Sequence, residues 1–174
     1  LEGHFQLSSG LHSNRYLQSA LVLQDPSQAE ILCRGLAERL PEGIEYVVGP
    51  ALGGVVVAYE LARALGAYAQ FTERKEERMT LRRGFRIPEG ARVFVMDDIL
   101  TTGTSIRECY DALKEHGVEP LGCGCLVDRS GGQADVSGLP LYALVELEVQ
   151  AWEPASCPLC TEGQPLEKPG SRGG

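Results

Sequence analysis

The sequence predicts an α/β protein: a mostly parallel, doubly wound sheet flanked by helices, with a small N-terminal hood. Short apolar runs alternate along the chain with segments of helical spacing, which is typical of repeated βα units. Loops rich in glycine and other small residues follow two of the apolar runs. In such sheets, ligands bind beyond the carboxyl ends of the strands. These loops are therefore the first candidates for a binding site.

The first half of the chain begins with a predicted helix. Asp25-Pro26 starts it, because Asp caps a helix N-terminus and Pro is favoured at the first helical position. Apolar side chains follow at helical spacing, namely Ala29, Leu32, Leu36 and Leu40. Residues 44–48 predict a strand, residues 55–65 a helix and residues 67–72 a further strand.

The second half repeats the alternation. Residues 92–96 form an apolar strand, and residues 106–116 have the pattern of a helix that ends at a glycine. Strands are then predicted at residues 118–127 and 141–147.

Changes in composition predict three regions. We expect an N-terminal hood at residues 1–24, a core at residues 25–150 and a C-terminal tail at residues 151–174. From Trp152 onward the sequence is aperiodic and rich in Pro and Gly, which predicts a loose terminal segment.

Charge and composition narrow the function classes. The net charge is −8, which disfavours a nucleic acid or an anionic membrane as a partner over the whole surface. The sequence contains no run of about 18 apolar residues, which is the length that a membrane span needs. It also contains no cationic leader followed by an apolar segment. The sequence therefore predicts a cytoplasmic chain that binds small molecules.

The most informative stretch is Val95-Met96-Asp97-Asp98-Ile99-Leu100-Thr101-Thr102-Gly103-Thr104-Ser105. Two adjacent carboxylates at the end of a strand can hold a divalent metal or a pair of ribose hydroxyls. Small residues at a helix N-terminus leave backbone N–H groups directed outward, where the helix dipole favours an anion such as phosphate. The stretch predicts a site for a sugar phosphate, whereas a plain β–α turn with an acidic cap is the simpler reading.

A second anion loop is predicted at residues 49–54, Gly49-Pro50-Ala51-Leu52-Gly53-Gly54. Glycine allows the backbone to approach a ligand closely, and the following helix adds its N-terminal N–H groups. The spacing matches neither a dinucleotide-binding nor a Walker motif. Taken alone, the loop could be a tight structural turn.

The charged segment at residues 73–84 predicts a solvated loop. Its basic residues give it a net positive charge on an acidic protein, and it lies between two strands whose ends reach the candidate site. We expect a mobile lid that closes over a small polyanion, excludes water and neutralises a leaving group.

The acid pair followed by a Thr/Gly-rich loop resembles the signature of the type I phosphoribosyltransferases. Three further stretches resemble the orotate phosphoribosyltransferases in particular: Ser9-Gly10-Leu11-His12-Ser13-Asn14-Arg15-Tyr16-Leu17-Gln18, the charged stretch from Phe71 to Phe85, and Leu126-Val127-Asp128-Arg129. The resemblance implies transfer of the phosphoribosyl group of phosphoribosyl pyrophosphate (PRPP) to orotate in de novo pyrimidine synthesis. It also implies a homodimer, with the lid shared across subunits.

The resemblance also implies roles for individual residues. Asp97, Asp98, Lys75 and Arg78 would be catalytic, and the two acids would hold Mg²⁺, partly through PRPP and water. Orotate would be bound by Thr101, Arg129 and Tyr16. PRPP would be bound by the two loops and the lid, through Ala51, Leu52, Gly53, Gly54, Arg74, Lys75, Arg78, Asp97, Asp98, Ile99, Leu100, Thr101, Thr102, Gly103, Thr104 and Ser105.

One lid residue departs from the family pattern. Arg78 stands where many relatives have a lysine; arginine keeps the positive charge but does not readily release a proton. Two other functions stay open from the sequence. One is a phosphoribosyltransferase for another base, which the Ser9–Ser13 stretch disfavours. The other is a PRPP-binding regulator, which would need a basic face or a nucleic-acid-binding element.

Six cysteines occur without the pattern of a disulfide framework. Cys33 and Cys109 lie at apolar helix positions and are predicted to be core residues. Cys157 and Cys160 have the spacing of a zinc knuckle, but no second pair and no histidine cluster follows them. Reduced structural thiols are the favoured interpretation; the alternative is a metal site completed by a partner chain or by Cys123 and Cys125.

Overall fold

The structure, a computed structural model, describes residues 1–7 and 9–169. They form two compact units. One consists of the described residues within 1–18 and 148–169, and the other of Ser19–Leu147. Among the described residues, no helix combines the length and the hydrophobicity that a bilayer crossing needs.

A six-stranded sheet forms the larger unit. Its strands are β3 (Tyr46–Pro50), β4 (Tyr68–Lys75), β5 (Arg78–Leu81), β6 (Arg92–Leu100), β7 (Glu119–Asp128) and β8 (Leu141–Glu146). Their order in the sheet is β5-β4-β3-β6-β7-β8, and every neighbouring pair is parallel except β4 with β5. The predicted, mostly parallel α/β sheet is confirmed.

Helices of this unit are α1 (Ala20–Leu23), α2 (Pro26–Ala37), α3 (Gly53–Leu65) and α4 (Thr104–Lys114). Asp25 caps α2 as predicted, because its carboxylate accepts a hydrogen bond from the backbone N–H of Ser27 at 2.9 Å. The predicted end of α3 is also confirmed: Gly66 closes it in a left-handed conformation, with φ of 70°.

Two hydrophobic clusters show that the sheet is doubly wound. Phe94 and Met96 of β6 pack in a cluster with residues of α2 and α3. Val93 and Val95 pack in a second cluster with residues of α4. Successive residues of a strand point to opposite faces, so helices cover both sides. Cys33 and Cys109 are each fully buried in one of these clusters, which confirms them as core residues.

Two boundaries next to the acid motif differ from the prediction. The strand predicted to end at residue 96 continues to Leu100, because β6 stays paired with β7 as far as Leu100 opposite Asp128. The helix predicted to start at residue 106 starts at Thr104. Hydropathy missed both, because Asp97 and Asp98 interrupt the apolar run and residues 101–105 are small and polar. Pairing with β7 decides where β6 ends.

The predicted solvated loop at residues 73–84 is wrong over much of its length. Residues Glu73–Lys75 extend β4, and Arg78–Leu81 form the antiparallel strand β5, with Lys75 opposite Arg78. Glu76 and Glu77 make the two-residue turn, both with positive φ, which is the backbone of the tight hairpin turns that match strand twist. The segment is therefore an edge hairpin.

The smaller unit contains the antiparallel strands β1 (Glu2–Gln6) and β2 (His12–Arg15). Trp152 bridges to His12 and Glu167 bridges to Phe5, so the C-terminal segment pairs with both strands. That segment also forms a 3₁₀ turn and the short helix α5 (Pro158–Thr161). This differs from the predicted separate hood and loose tail, because backbone hydrogen bonds join the two ends of the chain. Residues 170–174 of the predicted tail lie outside the described residues.

Candidate functional site

The acid pair lies near the carboxyl end of β6, at the edge of the sheet where β3 also ends. Asp97 is buried, with 8% of its surface exposed, and its carboxylate accepts a hydrogen bond from the backbone N–H of Asp98 at 2.9 Å. The Asp98 carboxylate accepts hydrogen bonds from the backbone N–H of Ile99 at 2.8 Å and from the hydroxyl of Ser19. The two carboxylates are therefore held in fixed and different surroundings.

Burial raises the pKa of the Asp97 carboxyl well above its usual range, and the neighbouring Asp98 adds to the rise. Desolvation disfavours the charged form of an acid, and a second negative charge close by does the same. A cation or several hydroxyl donors at this point would favour the ionised form. The pair therefore suits a ligand that brings a divalent metal or a sugar diol.

The predicted phosphate loop borders an open pocket, which is lined by Asp97, Ile99, Leu100, Thr101, Thr102, Gly103, Thr104, Ser105 and Ile106. The hydroxyls of Thr102 and Thr104 lie 2.9 Å apart. Both residues lie at the start of α4, where the first backbone N–H groups of the helix have no partner within it. A helix N-terminus with hydroxyl side chains binds a phosphate well. The structure thus brings together one carboxylate and the anion loop that the sequence predicted.

Gly103 makes the conformation of this loop possible. Its φ is 84°, and a Cβ placed on it would lie 2.4 Å from the backbone oxygen of Asp135. Asp135 also donates its N–H to the backbone oxygen of Thr102 at 3.0 Å and pairs with Arg107 at 2.5 Å. The segment around Asp135 therefore contacts the loop and stabilises its conformation, a role that the sequence did not predict.

The second predicted loop meets the acid pair directly. A Cβ on Gly53 would lie 2.8 Å from an Asp98 carboxylate oxygen, and one on Gly54 would lie 2.8 Å from the backbone oxygen of Met96. The first turn of α3 thus packs against the end of β6 with no space for a side chain. Leu52 is 83% exposed, and the peptide bond between Ala51 and Leu52 is cis. The two anion loops lie on the two sides of the acid pair.

The basic residues predicted to cover the site lie on the β4–β5 hairpin. Arg74 forms an ion pair with Glu108 of α4 and donates a hydrogen bond to the backbone oxygen of Glu77 at 3.2 Å. Lys75 and Arg78 are exposed beside the turn. Within this chain, Arg74 is therefore paired with α4, and no sequence pattern predicts Glu108 as its acidic partner.

Of the residues predicted to bind the second substrate, two border the same edge. Thr101 is exposed next to the phosphate loop. Arg129 directly follows β7, and its backbone N–H donates to the oxygen of Leu100 at 2.8 Å. Tyr16 belongs to the smaller unit, where its ring lies 5.8 Å from that of Phe5.

Ser19, whose hydroxyl donates a hydrogen bond to the carboxylate of Asp98, was not predicted, because no sequence pattern links positions 79 residues apart.

Comparisons with known proteins agree with this geometry. Residues 22–154 match the model of the phosphoribosyl transferase domain family. The chain is 53% identical over 173 residues to the orotate phosphoribosyltransferase of Pelotomaculum thermopropionicum, covering 99% of this chain and 90% of that protein.

Solved structures give the same result. The orotate phosphoribosyltransferase of Aeropyrum pernix is similar with a TM-score of 0.69 and 30% identity, over 84% of this chain and 87% of that one. The orotate phosphoribosyltransferase of Mycobacterium tuberculosis H37Rv in complex with PRPP is similar with a TM-score of 0.65 and 25% identity, over 82% and 86% of the two chains.

The raised pKa of Asp97 predicts a pH dependence of stability. Because the folded state holds this proton more tightly than the unfolded state, wild-type stability falls as pH rises from 3.8 through the raised pKa. Asp97→Asn removes this loss. We expect the free energy of unfolding of the variant, relative to wild type, to increase by up to about 1.4 kcal/mol per pH unit in that window.

Urea unfolding at a series of pH values between about 4 and 8, without added Mg²⁺, measures this difference. The control is Asp111→Asn, since Asp111 is exposed on α4. Parallel stability curves for wild type and Asp97→Asn would contradict the assignment.

Proposed function

Because the chain belongs to the orotate phosphoribosyltransferases of the phosphoribosyl transferase family, we propose that it transfers the phosphoribosyl group of PRPP to orotate. The products are orotidine 5′-monophosphate and pyrophosphate, a step of de novo pyrimidine synthesis. The observation that carries this proposal is the meeting of two anion loops at one acid pair, seen in the approach of Gly53 to Asp98.

We assign the 5-phosphate of PRPP to the loop at Thr101–Ser105. Its support is the pocket beside Asp97, where hydroxyl side chains and the N-terminus of α4 face a common space. The fixed N–H groups and the helix dipole bind an anion without reorganisation. Pyrophosphate is assigned to residues Ala51–Gly54, because the N-terminus of α3 lies there and Leu52 and Gly53 are exposed.

Asp97 and Asp98 are assigned to the ribose. A ring nitrogen of orotate attacks the anomeric carbon of the ribose while pyrophosphate leaves, so positive charge develops on the sugar, as in other glycosyl transfers. Two fixed carboxylates stabilise that charge. The same acids fit Mg²⁺, since a divalent cation offsets both the burial and the repulsion by Asp98 that raise the pKa of Asp97. When bound, Mg²⁺ would neutralise charge on the pyrophosphate.

Basic residues of the β4–β5 hairpin are assigned to the leaving group. Arg74, Lys75 and Arg78 would neutralise negative charge as it grows on pyrophosphate. Arg78 would supply a positive charge to pyrophosphate and would not act as a general acid, because a guanidinium group does not release its proton near neutral pH. For this role, Arg74 exchanges its ion pair with Glu108 for a phosphate contact.

Orotate is assigned to Thr101, Arg129 and Tyr16. The planar fork of an arginine matches a carboxylate beside a ring carbonyl, and orotate carries both groups. The position of Arg129, directly after β7 and bonded through its backbone to Leu100, supports this assignment. The cytoplasmic location expected from the sequence stays a prediction.

A homodimer is also part of the proposal. Its support is an apolar stripe formed by Leu52, just before α3, and by Val56 and Tyr59 of α3, which are 83%, 45% and 62% exposed. Their spacing of four and three residues places them on one face of the helix. The stripe begins inside the pyrophosphate loop, so a second copy seated on it would bring its own residues next to that loop. This arrangement would allow the hairpin to serve the site of the partner.

An absorbance assay of orotate consumption tests the reaction. We expect loss of orotate that depends on both PRPP and Mg²⁺, with no turnover of adenine, hypoxanthine or uracil. Turnover of another base would contradict the orotate assignment while keeping that of PRPP. Binding of PRPP without turnover of any base would indicate a regulator.

Replacing both acids tests their role. We expect Asp97→Asn with Asp98→Asn to lower kcat at least about 100-fold, because two fixed charges facing the transition state are removed. Circular dichroism establishes that the variant is folded. The control is Glu38→Gln, because Glu38 is an exposed residue directly after α2. Near-normal turnover of the folded double variant would refute the assignment.

Placing a charge in the stripe tests the dimer. We expect Tyr59→Glu to weaken self-association more than about 10-fold, because it buries an unpaired charge in the interface. Sedimentation equilibrium measures the dissociation constant. Ile31→Glu is the matched control, since Ile31 is 63% exposed on α2. Equal effects of the two changes would argue against an α3 interface.

A further inference from the structure

The smaller unit gathers four metal-binding side chains that the proposed reaction does not use. His4 lies on β1, His12 on β2, Cys157 just before α5 and Cys160 within it. One ligand atom from each lies within 4.8 Å of all the others. His4, His12 and Cys157 are 3%, 4% and 1% exposed. Cys160 is an exposed residue at the edge of this buried group. Two imidazoles and two thiols are the donor set of a structural zinc site.

Four of the six distances between ligand atoms of the cluster fit a tetrahedral ion, and the other two are within 4.8 Å. With Zn–S of about 2.3 Å and Zn–N of about 2.0–2.1 Å, tetrahedral ligand atoms are separated by about 3.4 Å for N···N and about 3.6 Å for N···S. The Nε2 of His4 lies 3.1 Å from the Nδ1 of His12. The N···S distances are 3.5 Å and 3.7 Å from His4 to Cys157 and Cys160, and 3.3 Å from His12 to Cys160. Each agrees within about 0.3 Å.

Hydrogen bonding around the cluster also suits a metal. The Nδ1 of His4 lies 2.9 Å from the backbone oxygen of Gln164, an acceptor, so this nitrogen carries the proton and donates it. The lone pair of His4 is therefore on Nε2, the atom that faces the cluster. A metal-bound histidine is usually oriented by this kind of second hydrogen bond.

The architecture of the unit supplies a reason for a metal. Among the described residues, both hydrophobic clusters lie between positions 23 and 144, in the larger unit. The smaller unit consists of residues 1–18 and 148–174, and its buried side chains include His4, His12 and Ser13. Units near the limit of about 40 residues lack the apolar core for independent stability and use a metal or disulfides in its place.

We propose that His4, His12, Cys157 and Cys160 bind one Zn²⁺ ion that fixes the C-terminal segment to the β1–β2 hairpin. Both cysteines bind as thiolates, so binding releases their protons to solvent, while the histidines bind as neutral imidazoles. Four protein ligands leave no open position for water or substrate. The ion is therefore structural, and the proposal does not depend on the transferase activity.

Metal analysis of the purified chain, kept under a reducing agent, tests the proposal. We expect about one zinc per chain by mass spectrometry of the metal. Replacement of zinc by Co²⁺ should give the visible absorption of a tetrahedral ion with thiolate ligands. Zinc far below one per chain with no binding of added Zn²⁺ or Co²⁺ overturns the proposal. A Cys157–Cys160 disulfide in the protein that carries no metal overturns it as well.

Variants locate the ion. His12→Ala and Cys160→Ala should each lower the zinc content at least tenfold after dialysis against a weak chelator. The matched controls are His116→Ala, which removes an exposed histidine of the larger unit, and Cys33→Ala, which removes a buried core thiol. Zinc retained by the cluster variants but lost by either control would refute the site.

Hydrogen exchange of the whole wild-type chain keeps the test independent of any variant that does not fold. Removing the metal with a strong chelator should lower amide protection in residues 1–18 and 148–169 and leave residues 19–147 unchanged. Unchanged protection throughout, or a uniform loss across both units, would contradict a zinc ion that stabilises the smaller unit.

Discussion

The close contact between the first turn of α3 and the end of β6 is the constraint on which the site depends. Gly53 and Gly54 bring backbone to within contact of Asp98 and Met96, where any side chain would overlap the acid or the strand. This contact places the N-terminus of one helix beside the acid pair, and the Thr101–Ser105 loop places the N-terminus of another helix on its other side. Two positive helix ends thus flank two carboxylates.

The electrostatic balance of the site follows from that placement. Two adjacent acids, one of them buried, are unfavourable by themselves, and the pKa of Asp97 rises as a result. The pair is held in place by backbone N–H groups and by Ser19. On the β4–β5 hairpin, Glu73 pairs with Arg83 at 2.9 Å, so part of the basic charge is neutralised locally. A ligand that carries both a cation and phosphates matches the charges that remain.

The two units of the chain are stabilised by different chemistry. In the larger unit, apolar side chains of the strands alternate between two helical layers, and burial of hydrophobic surface accounts for its stability. The smaller unit has a short hairpin, backbone pairing with the C-terminal segment and the His/Cys cluster. Directional bonds between a few polar groups therefore replace the extended core there.

Local sequence pattern was sufficient to predict most strands of the sheet, the longer helices and the two loops that follow β3 and β6. Apolar alternation marks β3, β6 and β7, and Asp97, Asp98 and the Thr/Gly loop lie next to one another along the chain. These features are local, so their spacing is sufficient to predict them. Residue roles taken from family resemblance, such as those of Tyr16 and Arg129, stay predictions.

Contacts between residues that are distant in the sequence are visible only in the folded chain. The hairpin at residues 73–81 exists because β5 pairs with an edge strand, although its charges suggested a solvated loop. Ser19 reaches Asp98, and Glu108 reaches Arg74, across sequence separations that no periodicity encodes. The sequence favours reduced structural thiols at Cys157 and Cys160 because no second pair and no histidine cluster follows them, whereas the fold brings His4 and His12 from the opposite end of the chain. Local pattern fixes conformation, but long-range pairing depends on how whole elements pack.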